Sequence, residues 1–339
     1  MSNGAPERQA PVRVAVVGTG YFGGLHAGKL ASLPGAALVA VVDADAARGQ
    51  AVAAKHGALA LTDARGLIGR VDAAVIAVPT KAHYEVAAML LDHGIHVLVE
   101  KPITDDPATA RRLVSLADAR NLVLQVGHLE RFSAVGVALR EKVSDALYIE
   151  SYRIAPFRER GTDVGVILDL MIHDIDLILT FVRAPIESVE AIGVPVLSPS
   201  EDIVNTRVRF TNGCFAAMTA SRVSFKAERK MRIFQPDSYI GIDFLERSIR
   251  SVYKKAPLDG ATRPEIAIEN QTYEESDALL EEDRSFIAAI ANRTPPLVSG
   301  ADGLRALEAA TQIMDSLRGN LDRLAKARGH ASMPPHAPI

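Results

Sequence analysis

The sequence predicts an α/β chain in two parts, a doubly wound parallel sheet followed by an α+β region with a mostly antiparallel sheet. Three observations predict it. Short, valine-rich apolar runs without alternation, such as VRVAVV at 12–17 and AAVIAV at 73–78, recur between helix-compatible stretches as far as residue 126, the pattern of strands buried on both faces. A glycine-rich turn, Gly18-Thr-Gly20-Tyr-Phe-Gly23, joins the first run to the first helical stretch. From about residue 146 the runs alternate more loosely and are separated by turn residues, which reads as antiparallel sheet.

The elements follow in order. After the strand at 12–17 comes a helix from Phe22 to Ser32, then LVAVVDAD at 38–45, a helix at 45–55 and a short strand at 58–61. AAVIAV is the fourth strand, and HYEVAAMLLDHG at 83–94 is an amphipathic helix closed by Gly94. HVLVE at 96–100 is the fifth strand; Asp105 or Asp106 with Pro107 opens a helix ending near Arg120, and LVLQV at 122–126 is the sixth strand. Six strands with intervening helices make a doubly wound sheet. A helix at 131–142 follows, then strands at 146–154, 189–196, 203–210, 213–221, 230–234, 238–244 and 247–253, with a hairpin signal at Thr211-Asn212-Gly213. A helix at 164–183 packs on this sheet, and helices at 276–292 and 300–328, separated by Pro295-Pro296, close the chain. The expected domains are 12–126 and 127–328, with the last helix able to pack back on the first domain, and 1–11 and 329–339 read as flexible tails.

Composition excludes several classes. At 339 residues, 48% hydrophobic and 23% charged, the chain suits two soluble globular domains. A net charge of −3 gives no broad electrostatic case for binding nucleic acid or a membrane surface. There is no apolar run long enough to span a bilayer, and the polar start MSNGAPERQAP is unlike a signal peptide. The single cysteine, Cys214, cannot form an internal disulfide and reads as a small core residue, so the expected compartment is the reducing cytoplasm.

The glycine turn carries the first chemistry. Gly18 allows the tight turn, Gly20 lets backbone approach a pyrophosphate, and Gly23 lets the helix pack close to the strand. The helix N-terminus behind Tyr21 and Phe22 then offers N–H groups and partial positive charge to phosphates. Asp43 ends the second strand 20 residues past Gly23, where a carboxylate can accept from both ribose hydroxyls and repel a 2′-phosphate. No arginine follows until Arg48. The expected cofactor is NAD rather than NADP.

Two further constellations carry the rest. In a doubly wound sheet, cofactor loops lie at the C-terminal strand ends; here these are Pro79-Thr80-Lys81-Ala82-His83 and Glu100-Lys101-Pro102. A partly desolvated Lys101 can exchange a proton with a hydroxyl, or it can be a solvated lysine paired with Glu100. In DVGVILDLMIHDIDLIL at 163–179, Asp169 and His173 lie four apart on one helix face. Burying both is costly unless they serve each other or a ligand, so Asp169 can orient the imidazole and His173 can be a general base; Asp174 and Asp176 read as helix-surface or structural residues. The His and Asp spacing completes no familiar metal pattern, and no metal is expected. Arg131, Arg153, Arg158 and Arg160 suit a diphosphate, or they make salt bridges with Glu130, Glu159 and Asp163.

These motifs, with AVPTKAHYEVA at 77–87 and SFIAAIANRTPPLVSGADGLRALEAA at 285–310, resemble the Gfo/Idh/MocA oxidoreductase family over about 12–320. The resemblance implies an N-terminal Rossmann domain, a C-terminal domain with a large open sheet that commonly mediates dimers or tetramers, and hydride transfer between a sugar-type carbon and C4 of a nicotinamide. Lys101, Asp169 and His173 match the family's catalytic lysine, aspartate and histidine; Gln125 and His128 fall near the nicotinamide, although many members carry asparagine where His128 stands.

The strings QVGHLERF (125–132), YRIAPFRERGTDVGVILDLMIHDIDLIL (152–179) and RIFQPDSYIGIDF (232–244) resemble the branch that oxidises the 3-hydroxyl of UDP-N-acetylglucosamine. That branch supplies a partner aminotransferase in lipid A synthesis. Another UDP-sugar, inositol or a free hexose is the neighbouring expectation. A catalytically silent NAD or nucleotide-sugar sensor is the alternative of another class, and the joint presence of Lys101, Asp169 and His173 weighs against it.

Overall fold

A computed structural model describes residues 10–157, 164–255 and 265–327, and the chain divides into two compact units. In the first, β1 (Val12–Val17) leads into α1 (Tyr21–Ser32), β2 (Ala36–Val42), α2 (Ala46–His56) and β3 (Leu59–Leu61). β4 (Ala73–Ile76), α3 (His83–Asp92), β5 (His96–Glu100), α4 (Pro107–Ala119) and β6 (Leu124–Gly127) follow. The six strands are ordered β3-β2-β1-β4-β5-β6 and all pairs are parallel. The strand order reverses between β1 and β4, and such a switch point is where these sheets bind ligands.

Local chemistry sets the helix starts. Asp45 accepts the N–H groups of Ala47 and Arg48 to cap α2, and Asp106, not Asp105, caps α4 by accepting from Thr109 N with Pro107 in the first turn. Gly94 follows the end of α3 with φ 76°, as its expected role requires. The sixth strand begins two residues later than the expected 122, because Leu122 N still donates to the carbonyl of Ala117 at the end of α4.

The second unit begins at Ser133, whose hydroxyl caps α5 (Ala134–Lys142) by accepting from Gly136 N. The helix expected from 131 therefore starts at 134, after a 3₁₀ turn over Leu129–Phe132. β7 (Tyr148–Ile154) is followed by a π-helical turn at Ile167–Met171 that runs directly into α6 (Ile172–Phe181). Then come β8 (Ile186–Val194), β9 (Ile203–Phe210), β10 (Phe215–Ser221), β11 (Glu228–Gln235), β12 (Ser238–Asp243), β13 (Ser248–Lys255) and β14 (Glu265–Thr272). The eight-stranded order is β14-β13-β12-β11-β7-β10-β9-β8; β7 and β10 are parallel and every other neighbouring pair is antiparallel.

Two differences from the expected strands have local causes. The strand placed at 189–196 runs earlier, because the Asp202 carboxylate collects the N–H groups of Val196, Leu197 and Ser198 at 2.8, 2.5 and 2.9 Å and folds that segment into a loop. β14 was not expected at all: it is an edge strand whose Ile266 and Ile268 are 67% and 63% exposed, so no buried face marks its sequence.

The chain then rejoins the first unit, which takes in Asp277–Leu304. α7 (Ala278–Asn292) packs against α1 and β1, where Phe286 and Ile287 join a core of Val14, Val16, Leu30 and Val41. α8 (Gly300–Ala327) gives its first residues to this unit and the remainder to the second.

Candidate active site

The glycine turn is built by close approach. Gly18 has φ 88°, and a Cβ there would stand 2.6 Å from the Ala77 carbonyl oxygen. A Cβ on Gly23 would lie 1.7 Å from the Gly18 carbonyl oxygen, so only glycine lets α1 begin this near the end of β1. At Gly20 a Cβ would meet nothing within 4 Å. Gly20 is also the N-cap of α1 and makes no side-chain cap bond. An open approach to an uncapped helix N-terminus fits a pyrophosphate, and Tyr21 and Phe22 stand exposed beside it in an edge-to-face pair with centroids 5.4 Å apart.

Asp43 is 5% exposed and heavily engaged. Its Oδ2 accepts from Thr19 N at 2.7 Å, Thr19 Oγ1 at 2.7 Å and Arg48 Nε at 3.0 Å. Its Oδ1 accepts from Asp45 N at 2.9 Å and Arg48 Nη2 at 2.7 Å. The Arg48 guanidinium, with Thr19 and the Asp45 N–H, holds the carboxyl far below the usual range against the opposing effect of burial. A carboxylate has about four lone-pair sites, so ribose hydroxyls can use Asp43 only as Arg48 gives way. Arg48, which sequence reading treated as too distant to matter, is Asp43's principal partner.

The strand-end loops are tied together by His83. It is buried, with Nδ1 2.9 Å from the Pro102 carbonyl oxygen and Nε2 2.9 Å from that of Val78. Burial pushes its pKa down. The neutral ring carries one N–H, so His83 donates to one of these two carbonyls and packs against the other, between the Pro79 loop and the Glu100-Lys101-Pro102 corner. Pro79 is exposed and Thr80 half-buried, opening a 3₁₀ turn. Lys101 is half-buried, and its peptide to Pro102 is cis. Gln125 is fully buried and donates through Nε2 to the Glu282 carbonyl at 3.0 Å, and His128 is 1% exposed.

Beneath this corner lies a cluster that sequence reading missed. His26 of α1 is fully buried, with Nδ1 2.7 Å from Asp283 Oδ1 and Nε2 3.1 Å from Glu100 Oε1. Burial opposes charge on His26, but the two carboxylates outweigh it and hold its pKa well above the usual histidine value. Burial likewise pushes Glu100 up, and His26 and Lys101 outweigh it, leaving Glu100 below the usual range. Burial, reinforced by the charge of Glu100, pushes Glu282 well up. Ligand atoms of His26, Glu100 and Glu282 lie within 4.8 Å of one another, and both His26 ring nitrogens face carboxylate oxygens.

In the second unit, Asp169 sits within the π-helical turn and His173 in the first turn of α6, both half-buried. The expected plain α-helix is therefore interrupted where these residues stand, and such turns are frequent at functional sites. The entry to the turn is closely packed: a Cβ on Gly165 would lie 1.9 Å from Glu201 Oε1, and Arg222 donates to the Val164 carbonyl. Asp174, the next residue after His173, is not on the helix surface. It is 3% exposed and takes the Arg153 guanidinium through Nε at 3.1 Å and Nη2 at 2.8 Å. Asp176 is buried as well.

Two of the four arginines lie among the described residues, one in each unit. Arg131 belongs to the first unit and pairs with Asp302 at 3.6 Å, and Arg153 belongs to the second and pairs with Asp174. Of the acidic partners expected from sequence, Glu159 and Asp163 lie outside the described residues. Arg158 and Arg160 lie outside the described residues.

A model described as the oxidoreductase family with NAD-binding Rossmann fold matches residues 12–128, and one for the GFO/IDH/MocA C-terminal domain matches 145–236. The chain is 36% identical over 313 residues to UDP-N-acetylglucosamine 3-dehydrogenase of Acidithiobacillus ferrooxidans, covering 92% of this chain and 99% of that protein. A solved structure of that enzyme matches with a TM-score of 0.84 at 35% identity, covering 91% of this chain and 98% of that one. Inositol 2-dehydrogenase of Rhizobium meliloti is 27% identical, covering 90% of this chain and 97% of that protein. With the glycine turn, the six-stranded parallel sheet and the open mixed sheet all in place, the chain belongs to the Gfo/Idh/MocA family of NAD-binding oxidoreductases.

Proposed function

We propose that this protein oxidises the 3-hydroxyl of UDP-N-acetylglucosamine to the 3-keto sugar with NAD. The carrying observation is the near full-length match to an enzyme of that name. Lys101, Asp169 and His173 supply the chemistry the reaction needs. Bound NAD serves as the hydride acceptor. His173 removes the hydroxyl proton as general base, Lys101 polarises the same oxygen, and Asp169 orients the imidazole or holds a neighbouring hydroxyl. Gly18, Gly20 and Gly23 take the pyrophosphate with Tyr21 and Phe22 beside it, and Asp43 takes the adenosine ribose.

The region 127–328 is assigned to substrate binding and self-association, as a homodimer or homotetramer. The 3-keto product has the chemistry to feed an aminotransferase for amino-sugar and lipid A synthesis, and a cytoplasmic setting accords with the lone buried Cys214. No helix among the described residues is long and apolar enough to cross a membrane.

The test is incubation with NAD and a panel of UDP-sugars plus inositol, followed at 340 nm, with mass spectrometry of the sugar because tightly held NADH can hide turnover. The expected result is a 3-keto product from UDP-N-acetylglucosamine. Oxidation of inositol instead, which the likeness to an inositol 2-dehydrogenase makes the second reading, keeps the family and discards the substrate. NAD binding without product from any sugar favours the sensor. Lys101→Ala and His173→Ala should each lower kcat by roughly 100-fold or more with NAD affinity nearly kept; unchanged turnover in both removes them from the mechanism.

A further inference from the structure

We propose that His26 is a positioning residue for Lys101, clamping Glu100 from below so that the Glu100-Lys101 corner is held in one geometry. The inference rests on the assignment of Lys101 to the reaction. It stands first on connectivity. Asp283 on α7 fixes one nitrogen of the His26 ring at 2.7 Å, and the other nitrogen reaches Glu100 Oε1 at 3.1 Å. Glu100 Oε2 accepts the backbone N–H of Lys101 at 3.2 Å. The chain of contacts therefore runs Asp283–His26–Glu100–Lys101, from α7 through α1 to the end of β5.

Space is reserved for it. A Cβ on Gly127 of β6 would lie 2.9 Å from Glu100 Oε2, so the neighbouring strand leaves just the room that the carboxylate occupies. Chemistry then specifies the ring's state. A neutral imidazole has one N–H and one acceptor nitrogen, whereas both His26 nitrogens face carboxylate oxygens. Holding Asp283 and Glu100 together as carboxylates requires the imidazolium, even though burial raises the pKa of Asp283.

Charged groups surround His26 from each element. Glu100 and Lys101 lie at the end of β5, and Glu282 and Asp283 on α7. Asp277 precedes α7 and is paired with Lys29 of α1. Glu282 is 0% exposed and neither of its carboxyl oxygens has a hydrogen-bond partner in the structure. Burial, reinforced by the charge of Glu100, raises its pKa and so favours its neutral form. Between two carboxylates the ring is the cation, and its loss of a proton at high pH releases the clamp.

The experiment compares wild type, His26→Gln, Asp283→Asn and Lys101→Ala, each as the full chain with NAD and the sugar it oxidises. Measured are kcat against pH, NAD affinity by calorimetry, thermal midpoint, and the ring nitrogens by 15N NMR. Wild-type His26 should show both nitrogens protonated at pH 8. His26→Gln should lose at least tenfold in kcat with NAD affinity within about threefold. Asp283→Asn keeps the shape and the hydrogen-bond acceptor but removes a charge that favours the imidazolium. It should move the alkaline limb of kcat to lower pH by about one unit, the low end of what a neighbouring charge imposes.

A lowered thermal midpoint with kcat and its pH profile unchanged makes the cluster merely structural and overturns the proposal. So does a neutral His26 at pH 7, or a stoichiometric metal ion in the purified protein that His26→Gln abolishes. If His26→Gln does not fold, Asp283→Asn and the NMR decide. Unchanged turnover in Lys101→Ala refutes instead the assignment of Lys101, while the NMR result on His26 stands apart from it.

Discussion

Two glycines three residues apart in the same turn should respond differently to a single methyl group. In Gly23→Ala the new Cβ would lie 1.7 Å from the Gly18 carbonyl oxygen. Contact requires more than about 3 Å, so roughly 1.5 Å of movement must come from the turn or from the start of α1. Overpacking of this kind costs about 1–3 kcal/mol, which corresponds to a fall in thermal midpoint of roughly 3–10 °C. The same movement displaces the first-turn N–H groups from a bound pyrophosphate. Losing one such charge-assisted bond is worth about 1.5–3 kcal/mol, so the Kd for NAD should rise roughly 10- to 100-fold. In Gly20→Ala the methyl meets nothing within 4 Å and the backbone is already extended at φ −64°. Its thermal midpoint should stay within about 2 °C of wild type, the small cost of exchanging a glycine N-cap, while NAD binding weakens because the methyl occupies the approach. The assay is calorimetric titration of NAD beside a thermal melt for each variant. Gly20→Ala binding NAD like wild type refutes the passage of the pyrophosphate over Gly20. A Gly23→Ala midpoint equal to wild type refutes the close-approach argument.

Three further outcomes are expected. Asp174→Ala leaves the Arg153 guanidinium buried without its acid, which should cost about 3–5 kcal/mol, read as a lower urea midpoint; the apolar pair Arg153→Met with Asp174→Leu should recover most of the loss, and no recovery would show that the pair does more than fill space. Burial pushes Asp202 up, but the Ser198 hydroxyl and the N–H groups of Leu197, Ser198 and Val196 outweigh it and hold the carboxyl at about 2. Because the folded pKa lies below the unfolded one, this contribution is present above about pH 4 and is lost as pH falls toward 2, so Asp202→Asn should flatten the acid limb of a urea-stability profile over that window. Burial pushes the Cys214 thiol up to about 11, so it should react slowly with Ellman's reagent when native and fully in 6 M guanidinium; rapid native labelling would contradict its burial.

The first unit was legible because its signals are local. Each parallel strand is a continuous apolar run, and Asp45, Asp106 and Gly94 announce helix ends within a few residues. The glycine turn was legible for the same reason: Gly18 and Gly23 are close in sequence, and their contact is with each other's turn and with Ala77. β14 escaped because a strand with two exposed faces has no burial to impose a period on its residues, and the π-helical turn escaped because its extra residue leaves the apolar pattern around Asp169 and His173 nearly that of an α-helix.

What the sequence hid at the site was partnership at a distance. His26 and Asp283 are 257 residues apart, and no spacing rule connects a helix near the start of the chain to one near its end. Arg153 and Asp174 pair across 21 residues, beyond the three or four over which helical neighbours can be read. These contacts decide which arginines are committed within the protein and which strand-end residue has buried charge beneath it. Residue types alone therefore nominated Lys101, Asp169 and His173, but the buried charges beneath Glu100 were not to be found by inspecting its neighbours. His26 offered one signal: a histidine on the inward face of α1, three residues past Gly23, where an apolar residue would ordinarily pack. A polar group at a core position must find partners, and here those partners are the acid of α7 and the glutamate that precedes the candidate catalytic lysine.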